Sequence, residues 1–313
     1  MKIGIDLGGT TMSAGLITDD NVLVDKRSTK TDSKDGADAV IARMNRMTAQ
    51  LLEENGVPAA QISHIGIGCP GMLDNQTGYV LYSNNIGWDH VNLRQKIRQQ
   101  FDVPVFMEND ANCAAIGEYI AGAGRDYSSM AMVTLGTGIG GAFIDNHRLY
   151  RGHNGYASIF GHMVIVSHGR PCNCGREGCW EDYGSVSALI KDADAEADRH
   201  SGSALAELRR RDGQLNGNNI FEAVHAGDKA AGEVFDRYVF YIAEGITNLI
   251  NLLDPEAVII GGGISREGNF LIDPIRNLVC EKRYCKYAAT PVIKASKLSN
   301  DAGIIGAACL DKC

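Results

Sequence analysis

The 313-residue chain lacks an excess of positive charge: 30 lysines and arginines stand against 38 aspartates and glutamates, for a formal charge of -8. That excludes a diffuse basic surface for nucleic acid or an anionic membrane, so any anion must be bound locally. Long apolar runs are lacking as well. None approaches the roughly 18 residues of a membrane span, and the opening Met1 to Thr11 carries glycines where a secretory signal would have its apolar stretch. A soluble, cytoplasmic protein is expected. Clustered cysteine is scarce: of nine cysteines, an odd number, only Cys172, Cys174 and Cys179 lie together, which argues against a disulfide framework and for reduced thiols with one metal site. What is present is ordinary globular usage, 44% hydrophobic and 22% charged, with enough chain for two compact domains and too much apolar content for a disordered or fibrous one.

Apolar residues first recur with the period of two expected of strands: Ile3, Ile5 and Leu7, then Ala14 and Leu16, then Val22 and Val24. This predicts an antiparallel meander. A helix is expected over residues 36–55, a strand from Ile62 to Cys69, a helix from Leu93 to Phe101, a strand from Val103 to Met107 and a small-residue helix from Ala111 to Ala121. The alternation argues an α/β fold. The opening pattern returns between Ser129 and Tyr150, so that Gly8-Gly9-Thr10 and Gly136-Thr137-Gly138 fall at equivalent corners of what reads as a duplicated unit. The polar stretch from Lys191 to Asn219 is expected to be exposed helix and loop. A long helical pattern from Phe235 to Leu253 then precedes a buried strand, Ala257 to Ile260, and a helical stretch, Asp301 to Cys309, ends the pattern.

Five motifs carry chemistry. Asp6-Leu7-Gly8-Gly9-Thr10-Thr11 joins two strands; its glycines permit close approach of backbone N–H groups to phosphate oxygens, and Asp6 is placed to orient hydrated Mg2+. A hairpin turn with a buried aspartate is the plainer alternative. Gly136-Thr137-Gly138-Ile139-Gly140-Gly141 fits the dinucleotide fingerprint, yet a strand follows it where that fingerprint needs a helix, so a second phosphate-holding hairpin is the better reading. Glu108-Asn109-Asp110 stands at a strand end before a helix, where a carboxylate can take a proton from a substrate hydroxyl and Asn109 can hold a neighbouring one; helix capping by Asn or Asp competes with this. His162 with Cys172, Cys174 and Cys179 supplies one imidazole and three thiolates within 18 residues, a complete tetrahedral set for structural Zn2+ that leaves no open position for catalysis. Gly261-Gly262-Gly263 after a buried strand suits an adenosine lying against backbone, although many strand-to-helix turns are glycine-rich.

Together these residues, with Gly68-x-Pro70-Gly71, Asn85-x-Gly87-Trp88, Ala111-Asn112, Gly161-His162 and Gly175-x-x-Gly178-Cys179-x-Glu181, resemble the ROK family of sugar kinases and regulators within the actin-like superfamily, over essentially the whole chain. The resemblance implies two actin-like (ribonuclease H-like) α/β domains around a cleft. The first would span residues 1–112, completed by a C-terminal helix over 300–313, and the second residues 113–299 with the zinc loop. It also implies ATP-Mg2+ at the two glycine hairpins, Asp110 as the base for a sugar 6-hydroxyl, and Gly71, Asn85, Asn109, Asp110, His162 and Glu181 around the sugar. His162 would serve zinc as well. Glucose is the leading acceptor, with N-acetylmannosamine, N-acetylglucosamine, allose and fructose as alternatives, and a homodimer is expected.

One position departs from the family pattern. Sugar-binding members carry glutamate three residues before the histidine, in a pattern Ala-Gly-Glu-x-Gly-His, whereas this chain reads Ala157-Ser158-Ile159-Phe160-Gly161-His162. A carboxylate accepting from a sugar hydroxyl contributes about 1.5–3 kcal/mol per charge-assisted bond, which Ile159 cannot supply. A catalytically weak sugar-binding protein is therefore the main competitor to a kinase. The repressor branch of the family is disfavoured, because its helix-turn-helix domain precedes the sugar domain and here the first strand is expected at Lys2.

Overall fold

The computed structural model describes residues 1–312. The fold starts with β1 (Lys2–Leu7), β2 (Thr11–Ile17) and β3 (Leu23–Lys30), which form the expected meander, with Ile3 facing Leu16 and Ile5 facing Ala14; β1 is buried throughout except at half-buried Asp6. The amphipathic helix α1 (Ala37–Glu54) buries Val40, Met44, Met47 and Leu51. The chain then adds β4 (Ile65–Cys69) parallel to β1.

A small antiparallel sheet follows as an insertion: β5 (Met72–Asp74), β6 (Tyr79–Ser83) and β7 (Trp88–Asn92). Beyond it, α2 (Leu93–Arg98) leads to β8 (Val105–Asn109), parallel to β4, and α3 (Asp110–Ala121) starts directly at the strand end. The first sheet thus runs in the order β3-β2-β1-β4-β8.

The pattern repeats with β9 (Met130–Leu135), β10 (Ile139–Asp145) and β11 (Arg148–Leu149). After a stretch with little regular structure come α4 (Glu181–Gly184), α5 (Val186–Arg199), α6 (Ala204–Asp212), α7 (Gly217–His225) and α8 (Lys229–Leu253). Then follow β12 (Ala257–Gly261), α9 (Asn269–Lys282), β13 (Val292–Ala295) and α10 (Ala302–Ala307). The second sheet has the order β11-β10-β9-β12-β13, the same winding as the first. The glycine corners after β1 and after β9 therefore occupy equivalent places, as the sequence repeat anticipates.

The chain groups into two compact units. One comprises Met1–Met130, Ala142–Ala157 and the stretch from Lys297; the other comprises Ala131–Gly141 and Ser158–Ser296. The first unit runs past residue 112, where a boundary was expected, because α3 packs on α10. An added Cβ on Gly306 would stand 1.7 Å from the Cys113 carbonyl oxygen, and one on Gly117 would stand 2.1 Å from that of Ala302. The other side of α10 touches the sheet backbone, with Gly4 and Gly66 giving room for the Ile304 and Ala307 carbonyls. The stretch 191–219 is helix and loop as expected, but it is not simply exposed: α5 and α6 bury Ala193, Ala197, Leu205 and Leu208, because its alanines and leucines recur at helical spacing. Among the described residues, no helix is long and apolar enough to cross a membrane.

Candidate active site

In the first unit, parallel register places the acids. Asp6 stands beside Gly68 and Gly68 beside Glu108, so the ends of β1, β4 and β8 share one edge of the sheet. Gly68 has no side chain between them; a Cβ there would lie 3.6 Å from the Asp110 Cα and 3.2 Å from the Cys113 sulfur. Burial, and then the neighbouring Asp110 charge, push the Asp6 carboxyl from 3.8 up to about 7. Burial also raises Asp110, against the backbone N–H of Ala111, which donates to Asp110 Oδ1 at 2.9 Å. The thiol of Cys69, buried beside both acids, is likewise pushed up. Two carboxylates that resist ionising together, at a strand edge, form a donor set suited to a hard divalent cation such as Mg2+.

The β1–β2 corner lies next to these acids. The Gly8 N–H donates to the Thr11 carbonyl at 3.0 Å, Thr31 Oγ1 donates to the Gly8 carbonyl at 2.7 Å, and Thr10 and Thr11 are exposed. Exposed Asn85 abuts this corner, its carbonyl 3.2 Å from where a Cβ on Gly9 would be. Gly71 has φ +110° and would drive a Cβ to 2.3 Å from the Tyr82 carbonyl, so the turn itself requires glycine there. Asn109 caps α3, its Oδ1 accepting from Ala111 N at 3.0 Å and Asn112 N at 3.4 Å. The capping alternative is thus realised in full, with Asp110 in the first turn of the helix it starts.

In the second unit the Gly136 N–H donates to the Gly138 carbonyl at 3.0 Å, and the Gly136 carbonyl accepts from Val186 N at 2.8 Å. Thr137 at the tip is exposed. Gly262, at φ +92°, would place a Cβ 2.0 Å from the Leu135 carbonyl, which sets Gly261-Gly262-Gly263 directly beside this turn. Glu181 lies against the same turn: its Oε2 accepts from Ile139 N at 2.9 Å, and Gly138 leaves it the room. Glu181 therefore braces the glycine hairpin as well as standing near the cysteine loop.

That loop has almost no regular structure, only single bridges at Val164–Cys179 and Pro171–Glu177. Yet the ligand atoms of His162, Cys172, Cys174 and Cys179 all lie within 4.8 Å of one another. Cys174 and Cys179 sulfurs are 3.7 Å apart, and Cys172 sulfur is 3.6 Å from His162 Nδ1. A tetrahedral Zn2+ with Zn–S of about 2.3 Å separates its ligands by about 3.8 Å, so the set fits that ion. Its charge chemistry agrees. Burial pushes the Cys172 and Cys179 thiols up, a cost a dication removes, while the Arg176 backbone N–H holds Cys174 below its ordinary value. With Nδ1 turned to the sulfurs, His162 keeps Nε2 for another partner. Trp180, fully buried, fastens the loop to α8 by donating to the Tyr241 carbonyl at 2.8 Å and stacking on Gly245.

Two buried groups escape a reading of the sequence. Glu118, 0% exposed, accepts from the backbone N–H groups of Ala123, Lys297 and Leu298. Arg151 donates to buried Glu108 at 2.8 Å. Both join segments far apart in the chain and leave no local pattern. Ile159 is 60% exposed and follows Ser158, which takes φ +64°.

The sequence model of the ROK family matches residues 2–312. The chain is 34% identical over 311 residues to a glucokinase of Halalkalibacterium halodurans, covering 99% of this chain and 94% of that one. It superposes with TM-score 0.87 and 35% identity on a ROK family glucokinase from Streptomyces griseus in complex with glucose and AMPPNP, covering 99% of this chain and 98% of the other. It is also 29% identical to a xylose repressor of Bacillus subtilis, over 97% of this chain and 75% of the repressor. The chain belongs to the ROK family.

Proposed function

We propose that this ATP-dependent sugar kinase transfers the γ-phosphate of ATP to the 6-hydroxyl of a hexose, with glucose as the first acceptor. The observation that carries the reading is the acid pair at one sheet edge, Asp6 and Asp110, with both carboxyls raised by burial. A raised carboxyl is a stronger base than free aspartate, which suits Asp110 to take the proton of an attacking hydroxyl. Phosphoryl transfer needs little covalent help beyond positioning and charge.

Mg2+, when bound at Asp6, supplies the positive charge that offsets the phosphate oxygens. The resemblance assigns phosphate oxygens to the two glycine hairpins, where the Gly8 and Gly136 N–H groups are engaged within their own turns, and adenosine to the exposed Gly262 and Gly263. The resemblance assigns Asn85, Asn109, His162 and Glu181 to the sugar. Glu181, already tied to Ile139 N, holds it through its remaining oxygen. Zn2+ at the three cysteines and His162 has no open position and serves to hold the loop. The resemblance supports a cytoplasmic homodimer.

The glucokinase relatives support glucose. Exposed Ile159, where the family pattern has glutamate, favours a weaker hold on one hydroxyl, so N-acetylmannosamine, N-acetylglucosamine, allose and fructose are alternative acceptors and a weak sugar-binding protein is the second reading. Release of ADP from Mg-ATP across a panel of these sugars is the test. Turnover with glucose supports the reading; turnover only with another sugar moves the substrate; sugar-dependent thermal stabilisation with no turnover overturns the kinase. Ile159→Glu is expected to lower the Michaelis constant for the preferred hexose, and the Ile159 argument fails if no hexose gains.

A further inference from the structure

We infer that Glu108, held by Arg151, is the positioning residue for Asp110; the inference rests on the kinase reading for what Asp110 does, and on geometry alone for how it is held. Glu108 is 3% exposed at the end of β8. Its Oε1 accepts from the Asn109 backbone N–H at 2.9 Å and from Asn112 Nδ2 at 3.0 Å, and its Oε2 accepts from Arg151 Nε at 2.8 Å. Asn75 Nδ2 adds a longer contact at 3.5 Å. One carboxylate thus joins the last residue of a strand, the first turn of α3 and the segment after β11.

Asp110 sits between the two residues so held, Asn109 and Asn112, and shares the Ala111 N–H with the Asn109 cap. A helix cap needs Asn109 alone and does not account for a buried carboxylate beneath it. Nor is stability a sufficient reason, since a buried ion pair is commonly no better than well-packed apolar residues. What the pair does supply is a fixed direction: a planar guanidinium and two N–H donors hold the carboxylate, and the carboxylate holds the corner from which Asp110 projects. Both Glu108 oxygens are thus engaged by protein donors.

The test uses the full chain. Glu108→Gln keeps the volume and one acceptor oxygen while removing the charge; Arg151→Met removes the holder, and Arg151→Lys keeps charge without the planar fork. In Glu108→Gln and Arg151→Met, kcat is expected to fall by tenfold or more, since misplacement of about 1 Å costs on the order of a hundredfold. The KM for Mg-ATP should stay within about twofold. Arg151→Lys should recover part of the loss. In an Asp110→Asn background neither substitution should lower the residual turnover further, because Glu108 acts through Asp110.

Amide hydrogen exchange across residues 105–116 should quicken in both variants while the rest of the chain is unchanged. Unaltered kcat, additive losses with Asp110→Asn, or unaltered exchange at that corner would each overturn the inference, leaving a pair that only fills the core. If Arg151→Met does not fold, Glu108→Gln decides. If the wild-type chain phosphorylates no sugar, the kinase reading fails by itself and exchange at 105–116 still decides whether Glu108 holds the corner.

Discussion

The acid corner of the first unit and the cysteine loop of the second reach fixed geometry by opposite means. Sheet register sets Asp6 beside Gly68 and Gly68 beside Glu108, and Asp110 follows the end of β8 directly as the first residue of α3. His162 and Cys179, by contrast, bracket a loop of single bridges, and their ligand atoms converge without a sheet beneath them. A strand edge orients a group through many backbone bonds. An irregular loop pays the same ordering entropy with few bonds, and an ion that joins four ligands is one way to meet it. The two glycine hairpins show the same contrast on a smaller scale: the first is tied by Thr31, just beyond the end of β3, while the second is braced by the side chain of Glu181 from beyond the loop.

On stability, the largest expected break in this comparison comes from the loop. Cys174→Ser, or removal of the metal by a chelator, should lower the melting temperature and disorder residues 162–180, since a structural ion contributes folding free energy directly. Metal content, a melting curve and exchange in that loop check this, and a metal-free sample with unchanged folding and activity would contradict it.

The next effect belongs to the packing beneath the acid corner. Gly306→Ala must move a Cβ from 1.7 Å off the Cys113 carbonyl, which should cost about 1–3 kcal/mol by denaturant unfolding. The loop's own fit for its ion should not change, so equal metal content in the variant sharpens the separation of the two regions.

A smaller effect follows from charge. Asp6 titrates near 7 in the folded chain against an ordinary 3.8, so between those values the folded state holds a proton that the unfolded state has lost. Stability from this group is present at low pH and is lost as pH rises toward about 7. Without magnesium or nucleotide, Asp6→Asn should therefore gain melting temperature relative to the parent at pH 8 and lose that advantage near pH 4. An advantage that does not depend on pH would show that burial of Asp6 is not the cause.

Much of both regions was legible beforehand. The period of two at Ile3, Ile5 and Leu7 gave the meander, the repeated glycine corners gave the duplicated winding, and the residue types at His162 to Cys179 gave the ligand set, because each of these signals lies within a short stretch of chain. The inserted sheet β5-β6-β7, helix α9 and strand β13 were not legible, since their hydrophobic patterns are short and interrupted. Nor were the anchors: Glu118 meets Leu298 across 180 residues and Glu108 meets Arg151 across 43, so only the folded chain shows why either acid is buried. The burial of α5 and α6 was misjudged because high charge hides a face of alanine and leucine.

The most direct test measures sugar phosphorylation and sugar binding on one preparation of Asp110→Asn with its metal loop intact. Loss of a general base typically costs about 10²–10⁴ in rate, so turnover should fall into that range or below while sugar still raises the melting temperature as in the parent. Turnover close to that of the parent chain would contradict the account, because the proton would then leave by a route that does not need the acid corner.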